Sequence, residues 1–121
     1  MSASGTTRLE FGGEERDFTL RLNELRRLQE LTGRGPHRVL TDLRSGDWFI
    51  DDPREVIRLG LEGAGVQPKE AGALIRRYLD EQGTWLSDGR TIAMIILSNG
   101  LEAPDDDLPK KSRPKKAKAK A

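Results

Sequence analysis

The chain opens with two short stretches in which apolar and polar residues alternate. Leu9 and Phe11 alternate with charged residues, and a second stretch of the same kind includes Phe18. A period of two places the apolar side chains on one face of a β-strand. Gly12 and Gly13 lie between the stretches and can adopt the positive φ angles that a tight turn needs. The pattern predicts a β-hairpin with one apolar face.

From Asn23 onward the apolar spacing lengthens to the period of an amphipathic helix. We predict a short helix with Asn23 as its N-cap and Gly33 as its C-cap. Similar patterns predict helices over 34–46, over 53–64 and over 67–83. Asp51 and Asp52 precede Pro53, and we interpret them as an acidic helix start rather than as a catalytic carboxylate pair.

Two features of the predicted helices point to tight packing. Gly60 and Gly63 each cost a helix about 1 kcal/mol relative to alanine, so we expect a neighbouring element to approach them closely. The apolar run Ile92–Leu97 predicts a central helix, by its length and by the Asn-Gly pair that follows. A buried strand is the alternative, because several of its residues are β-branched.

These elements together predict an α+β fold, with an N-terminal β-hairpin packed on a small bundle of about four to five helices. The predicted domain covers residues 7–101. Residues 1–6 are predicted to be a flexible N-terminus. Residues 102–121 contain too few apolar side chains to fold, so we predict a disordered, Lys-rich C-terminal tail.

The net charge of +1 conceals a strong asymmetry. Seven of the 21 basic residues lie in 110–121, so 14 basic residues face all 20 acidic residues in 1–109. The body therefore carries −6 and the tail +7. The seven tail cations are Lys110, Lys111, Arg113, Lys115, Lys116, Lys118 and Lys120. They predict contact with nucleic-acid phosphates, attraction to an acidic protein, or a solubilising role.

Composition excludes several kinds of chemistry. The chain has no cysteine, so disulfides and thiolate chemistry are absent, and the single histidine, His37, excludes a histidine metal cluster. Neither Gly-Gly nor Gly-Arg-Gly has the spacing of a phosphate-binding loop. We therefore expect a protein that is not an enzyme and needs no cofactor. The absence of a signal-like N-terminal apolar core and of a long apolar run leads us to expect a cytoplasmic protein.

Three aromatic residues are candidates for a protein contact. Trp48 and Phe49 lie in a predicted connector, and Trp85 follows a predicted helix end. Packing in the core is the ordinary role of such side chains, whereas exposure would make them binding anchors. The sequence leaves both possibilities open.

The order of these elements resembles the gene transfer agent-like tail assembly chaperone family of tailed phages, prophages and gene transfer agents, sometimes labelled tail tube proteins. The resemblance covers about residues 8–101. It rests on LEFGGEERDFTLRL from Leu9, LNELRRLQELTG from Leu22, VIRLGLEGAGV from Val56 and IAMIIL from Ile92. The Lys-rich tail departs from the family pattern.

The resemblance implies a small, non-enzymatic protein in the cytoplasm of the bacterial host during assembly. Its implied partner is the tape measure protein, with tail tube protein as a further candidate, until the tail tube polymerises. A structural role in the tail is a variant of the same expectation. Independently of any family motif, Trp48, Phe49 and Trp85 are the first candidates for the contact, and Leu74 and Tyr78 on a helix face are weaker ones. The alternative function is a small nucleic-acid-associated protein that acts through its basic tail.

Overall fold

The structure is a computed structural model that describes residues 5–81 and 86–102. Residues 1–4 of the predicted flexible N-terminus and residues 103–121 of the predicted disordered tail lie outside these ranges, whereas Thr6 begins the first strand. The described residues form a two-stranded sheet and a set of helices, which confirms the predicted α+β architecture.

The hairpin forms where the alternating pattern predicted it. Strands β1 (Thr6–Phe11) and β2 (Glu14–Thr19) pair antiparallel, with Thr6 opposite Thr19 and Phe11 opposite Glu14. Gly12 and Gly13 make the turn at φ values of 70° and 86°, a left-handed conformation that glycine adopts at little cost. One face of the hairpin is apolar, because the rings of Phe11 and of Phe18 in β2 are buried.

Five α-helices follow the hairpin in the part of the chain that the structure describes. They are α1 (Leu22–Thr32), α2 (Pro36–Ser45), α3 (Asp51–Gly63), α4 (Pro68–Ile75) and α5 (Leu86–Glu102). A π-helix, Arg76–Glu81, continues α4. The apolar segment before Asn99 lies within α5, so the helix prediction is confirmed and the strand alternative is wrong.

The two ends of α1 differ in how well the sequence predicted them. Gly33 is the C-cap at φ 73°, and its N–H donates to the Gln29 carbonyl over 2.9 Å. Asn23, the predicted N-cap, lies inside the helix. The N-cap is Arg21, whose backbone N–H donates to the Glu24 carboxylate over 2.9 Å. Because Glu24 supplies the capping oxygen from within the first turn, the helix begins earlier than a search for a capping side chain suggests.

Helix α3 is the centre of the core. The apolar side chains of α3 are fully buried against β2 and α5, and every other helix also contributes residues to the core. The fully buried core residues on α3 and α5 are Val56, Ile57, Leu59, Leu61, Ala93, Ile96 and Leu97. None of the helices within 5–81 and 86–102 combines the length and hydropathy needed to cross a bilayer.

The close approach expected at Gly60 and Gly63 is confirmed. A Cβ atom added to Gly60 would lie 3.1 Å from the Phe18 Cβ. A Cβ atom added to Gly63 would overlap the carbonyl oxygen of Thr19. The two glycines therefore allow the backbone of α3 to lie directly against β2, and the helix propensity that they cost is offset by this contact.

We predict that Gly63→Ala destabilises the protein, because the new methyl group forces β2 away from α3. The expected loss is about 1–3 kcal/mol of unfolding free energy, measured by chemical denaturation. Gly72→Ala in α4 is the matched control, since nothing lies within 4 Å of the added Cβ. The control is expected to be neutral or to gain up to about 1 kcal/mol. Equal effects of the two variants would contradict the close approach.

Candidate protein-binding surface

A nearly buried arginine joins three segments of the chain. Arg34, between α1 and α2, donates from Nη1 to the Asp42 carboxylate over 2.6 Å and from Nη2 to the Asp52 carboxylate over 2.5 Å. The exposed fraction is 15% for the Arg34 side chain and 2% for that of Asp52. Such buried, charge-assisted contacts fix the relative position of the α1–α2 loop, α2 and the start of α3.

The same cluster holds Phe49. The Phe49 backbone N–H donates to the second oxygen of Asp52 over 2.8 Å, and the Asp52 N–H donates back to the Phe49 carbonyl over 2.9 Å. The guanidinium carbon of Arg34 lies 4.1 Å from the centroid of the Phe49 ring, within range of a cation–π interaction. Phe49 is therefore constrained through both its backbone and its ring.

Despite these constraints, Phe49 and its neighbour Ile50 face solvent. Their exposed fractions are 59% and 58%. Two large apolar side chains that are adjacent in sequence and exposed to solvent are typical of a site that binds another protein.

The acidic pair before α3 does more than start the helix. The helix begins at Asp51, so Pro53 is its third residue rather than its first. Asp52 accepts a backbone N–H just before the helix, as a capping carboxylate would, but its other oxygen binds Arg34. The simple capping interpretation of Asp52 is therefore incomplete.

The cluster shifts the pKa of two of its members. Hydrogen bonding to Asp52 raises the pKa of Arg34 and outweighs the opposing effect of burial. Burial of Asp42 favours its neutral form, but the hydrogen bonds from Arg34 and Arg38 outweigh it, and the pKa of the Asp42 carboxyl is lowered. Both pKa shifts favour the charged forms of Arg34 and Asp42.

The other predicted contact residues lie in different settings. Trp48 is half-buried against the core, unlike the adjacent Phe49. Leu74 is half-buried against the core as well. The Tyr78 ring meets Phe11 edge-on at a centroid distance of 5.8 Å and covers Gly12 of the hairpin turn. The structure therefore gives Tyr78 a packing partner in the hairpin and does not place it beside Phe49.

Some predicted residues lie outside the part that the structure describes. They are Trp85 and the seven tail cations, Lys110, Lys111, Arg113, Lys115, Lys116, Lys118 and Lys120. Their roles stay predictions. Within the described ranges, no three histidine, aspartate or glutamate side chains gather closely enough to hold a metal ion.

Sequence reasoning missed two parts of this surface. Ile50 was not among the candidates, although it completes a run of three apolar residues in a connector, which is a usable signal. The Arg34 cluster has no local signal, because its partners lie 8 and 18 positions further along the chain. Leu22, Leu31 and Ile95 are further exposed apolar side chains, each without an exposed apolar neighbour in sequence.

Comparison with known proteins decides the family. The family model described as "Phage tail tube protein, GTA-gp10" matches residues 4–102. The chain belongs to this family. Searches of curated proteins and of solved structures each gave no match. Membership in the GTA-gp10 family makes the chain a phage or gene transfer agent tail-related protein, in agreement with the resemblance noted from its sequence.

We predict that Arg34→Met destabilises this GTA-gp10 family member by about 3–5 kcal/mol, because it leaves the Asp42 and Asp52 carboxylates buried without their shared cation. Arg38→Met is the control. Arg38 also binds Asp42, but its side chain is 70% exposed, so the expected loss is at most about 1 kcal/mol. Urea denaturation measures the unfolding free energy of both variants. Similar losses would contradict a larger contribution from the buried Arg34 than from the exposed Arg38.

The lowered pKa of Asp42 predicts a dependence of stability on pH. The ionised carboxylate stabilises the fold fully above the pKa of the unfolded state, about 4, and this contribution is lost as pH falls through the lower pKa of the folded state. The unfolding free energy of the natural chain should therefore approach that of Asp42→Asn as the solution is acidified below pH ~4. Thermal unfolding across this range tests it, and a constant difference would contradict it.

Proposed function

We propose that this protein is a tail assembly chaperone, a non-enzymatic protein that binds the tape measure protein before the tail tube polymerises. Tail tube protein is a second proposed partner. The proposal places the protein in the cytoplasm of the bacterial host during assembly. Its support is membership in a tail protein family together with the exposed pair Phe49 and Ile50, of which Phe49 is held by Arg34 and Asp52.

The contacts that hold Phe49 in place are the observation that carries the proposal. An anchor that is ordered before binding loses little conformational entropy when it binds. Phe49 is held by the Arg34 and Asp52 contacts in the free protein, so its burial against a partner is not offset by a large ordering cost. A long helical protein awaiting assembly exposes apolar stripes, and an exposed apolar pair can cover them.

A chaperone must also release its client. Two apolar side chains form a contact smaller than the standard interface of about 1,600 Å², and contacts of this size are typical of transient complexes. Growth of the tail tube around the tape measure protein can then displace the chaperone. A large permanent contact would instead favour a structural component of the tail.

A structural role is the second candidate, because the matching family model is itself described as a tail tube protein. The two candidates differ in where the protein ends up. A chaperone is bound in assembly intermediates and absent from finished tails, whereas a tube component is retained. The nucleic-acid alternative depends on tail residues outside the described ranges, and the described residues add no support for it.

We expect a tagged protein, purified from its host after induction of tail assembly and nuclease treatment, to retain the tape measure protein, identified by mass spectrometry. The double variant Phe49→Ser, Ile50→Ser should lose at least about 90% of it, because interface anchors of this kind contribute 2 kcal/mol or more. Finished tails from the same cells should lack the tagged protein.

Leu22→Ser is the matched control, because Leu22 is 67% exposed and lies at the start of α1. It should retain the tape measure protein fully. Equal retention by the double variant and the control would exclude this surface. Recovery of nucleic acid when the nuclease step is omitted, with no tail protein retained in either case, would overturn the proposed function in favour of the basic tail.

A further inference from the structure

The residues that flank Phe49 and Ile50 give the surface a charge. The anchor surface is defined here as Asp47, Phe49, Ile50 and Asp51. Along the sequence, the exposed carboxylate of Asp47 precedes the two exposed apolar side chains and that of Asp51 follows them. Building on the proposed function, we infer that this surface recognises an amphipathic helix whose apolar stripe is bordered by lysine or arginine residues.

The negative charge of the anchor surface is only weakly neutralised. Residues 47–52 contain three carboxylates and no basic residue. Asp52 is bound by Arg34, but the Asp51 side chain is 74% exposed. Its contact with Arg54 is 3.3 Å long, and Arg54 already makes two shorter hydrogen bonds to Asp80. Asp47 receives one 3.4 Å contact from the Ser45 hydroxyl.

Three nearby arginines, Arg34, Arg38 and Arg54, are paired with carboxylates. Both terminal nitrogens of Arg34 donate to carboxylates. Arg38 is exposed on α2 but donates to Asp42, and Arg44 is exposed in the last turn of α2. Within the anchor surface both charged side chains are carboxylates, so a partner with basic residues beside Asp47 and Asp51 is favoured in specificity.

A helix fits the apolar part of this surface. Residues three and four positions apart on a helix share one face, so a helix can offer a continuous apolar stripe to two adjacent side chains and place basic residues beside it. The chain's own tail has the charge but not the stripe, because alanine is its only apolar residue over 110–121. The observations therefore favour a helix of another protein over the tail.

The test uses two synthetic helical peptides of about five turns, with the same leucine stripe bordered by lysine in one and by glutamate in the other. Binding to the full chain is measured by fluorescence anisotropy. We expect the lysine peptide to bind about fivefold more tightly at low salt, which is the scale of two exposed charge pairs, and the difference to shrink at high salt.

Two variants make the test specific. Asp47→Lys, Asp51→Lys should reverse the preference between the peptides. Glu70→Lys, Glu81→Lys makes the same change in net charge at exposed positions on α4 and the π-helix, and it should keep the preference for the lysine peptide. Thermal unfolding confirms that each variant is folded before binding is measured.

Several results would overturn the inference. Equal binding of both peptides, no binding of either, or loss of the preference in both double variants would each do so. Binding that appears only after the seven basic residues of 110–121 are changed to glutamine would make the tail the occupant. Self-association that is abolished by Phe49→Ser would make a second copy the occupant.

The outcome is separable from that of the proposed function. If the natural chain retains the tape measure protein but shows no peptide preference, the charge inference fails and the chaperone proposal stands. If the peptide preference is found and the tape measure protein is not retained, the surface binds a basic helix of some other protein and the chaperone proposal fails.

Discussion

The approach of α3 to the hairpin is the constraint on which the rest of the fold depends. At Gly63 the helix backbone lies directly against the Thr19 carbonyl of β2, and at Gly60 it lies against the Phe18 side chain. A two-stranded hairpin is marginal alone. Because α3 also packs against α5, this contact ties the hairpin to the centre of the core, and the Asn99 side chain of α5, which donates to the Thr7 hydroxyl of β1, adds a second tie.

The surface proposed for binding is a consequence of how α3 begins. Asp52 in its first turn is nearly fully buried and binds Arg34 from the preceding helix pair. A buried ion pair of this kind is weak support for net stability, because desolvation opposes the attraction. What the structure shows is the effect of this ion pair on the position of the connector. It fixes the connector in the conformation that leaves Phe49 and Ile50 in solvent while Trp48 turns toward the core.

Much of the fold could be predicted because its signals are local. The alternating stretches and the glycine pair specify the hairpin, and Gly33 specifies the end of α1. The tight packing at Gly60 could be inferred because a glycine inside a helix needs a compensating contact. The N-cap of α1 was missed because an acidic residue within the helix performs the capping that a preceding side chain was expected to perform.

The candidate site was less predictable for a physical reason. Trp48 and Phe49 are adjacent in sequence, and only their tertiary environment makes one half-buried and the other exposed. Asp52 looked like part of a helix start because its partner Arg34 lies 18 residues earlier, beyond the range of any periodic pattern. The sequence identified the connector as a candidate but not which of its side chains face a partner.

Hydrogen–deuterium exchange of the full chain, with and without purified tape measure protein, tests whether Phe49 and Ile50 form the contact. Binding at this surface should slow exchange in the peptides that contain the connector from α2 to α3 and the first turn of α3. Exchange in the hairpin and in the middle of α5 should not change. Slower exchange confined to the hairpin or to α5, with the connector unchanged, would contradict the claim that Phe49 and Ile50 form the contact.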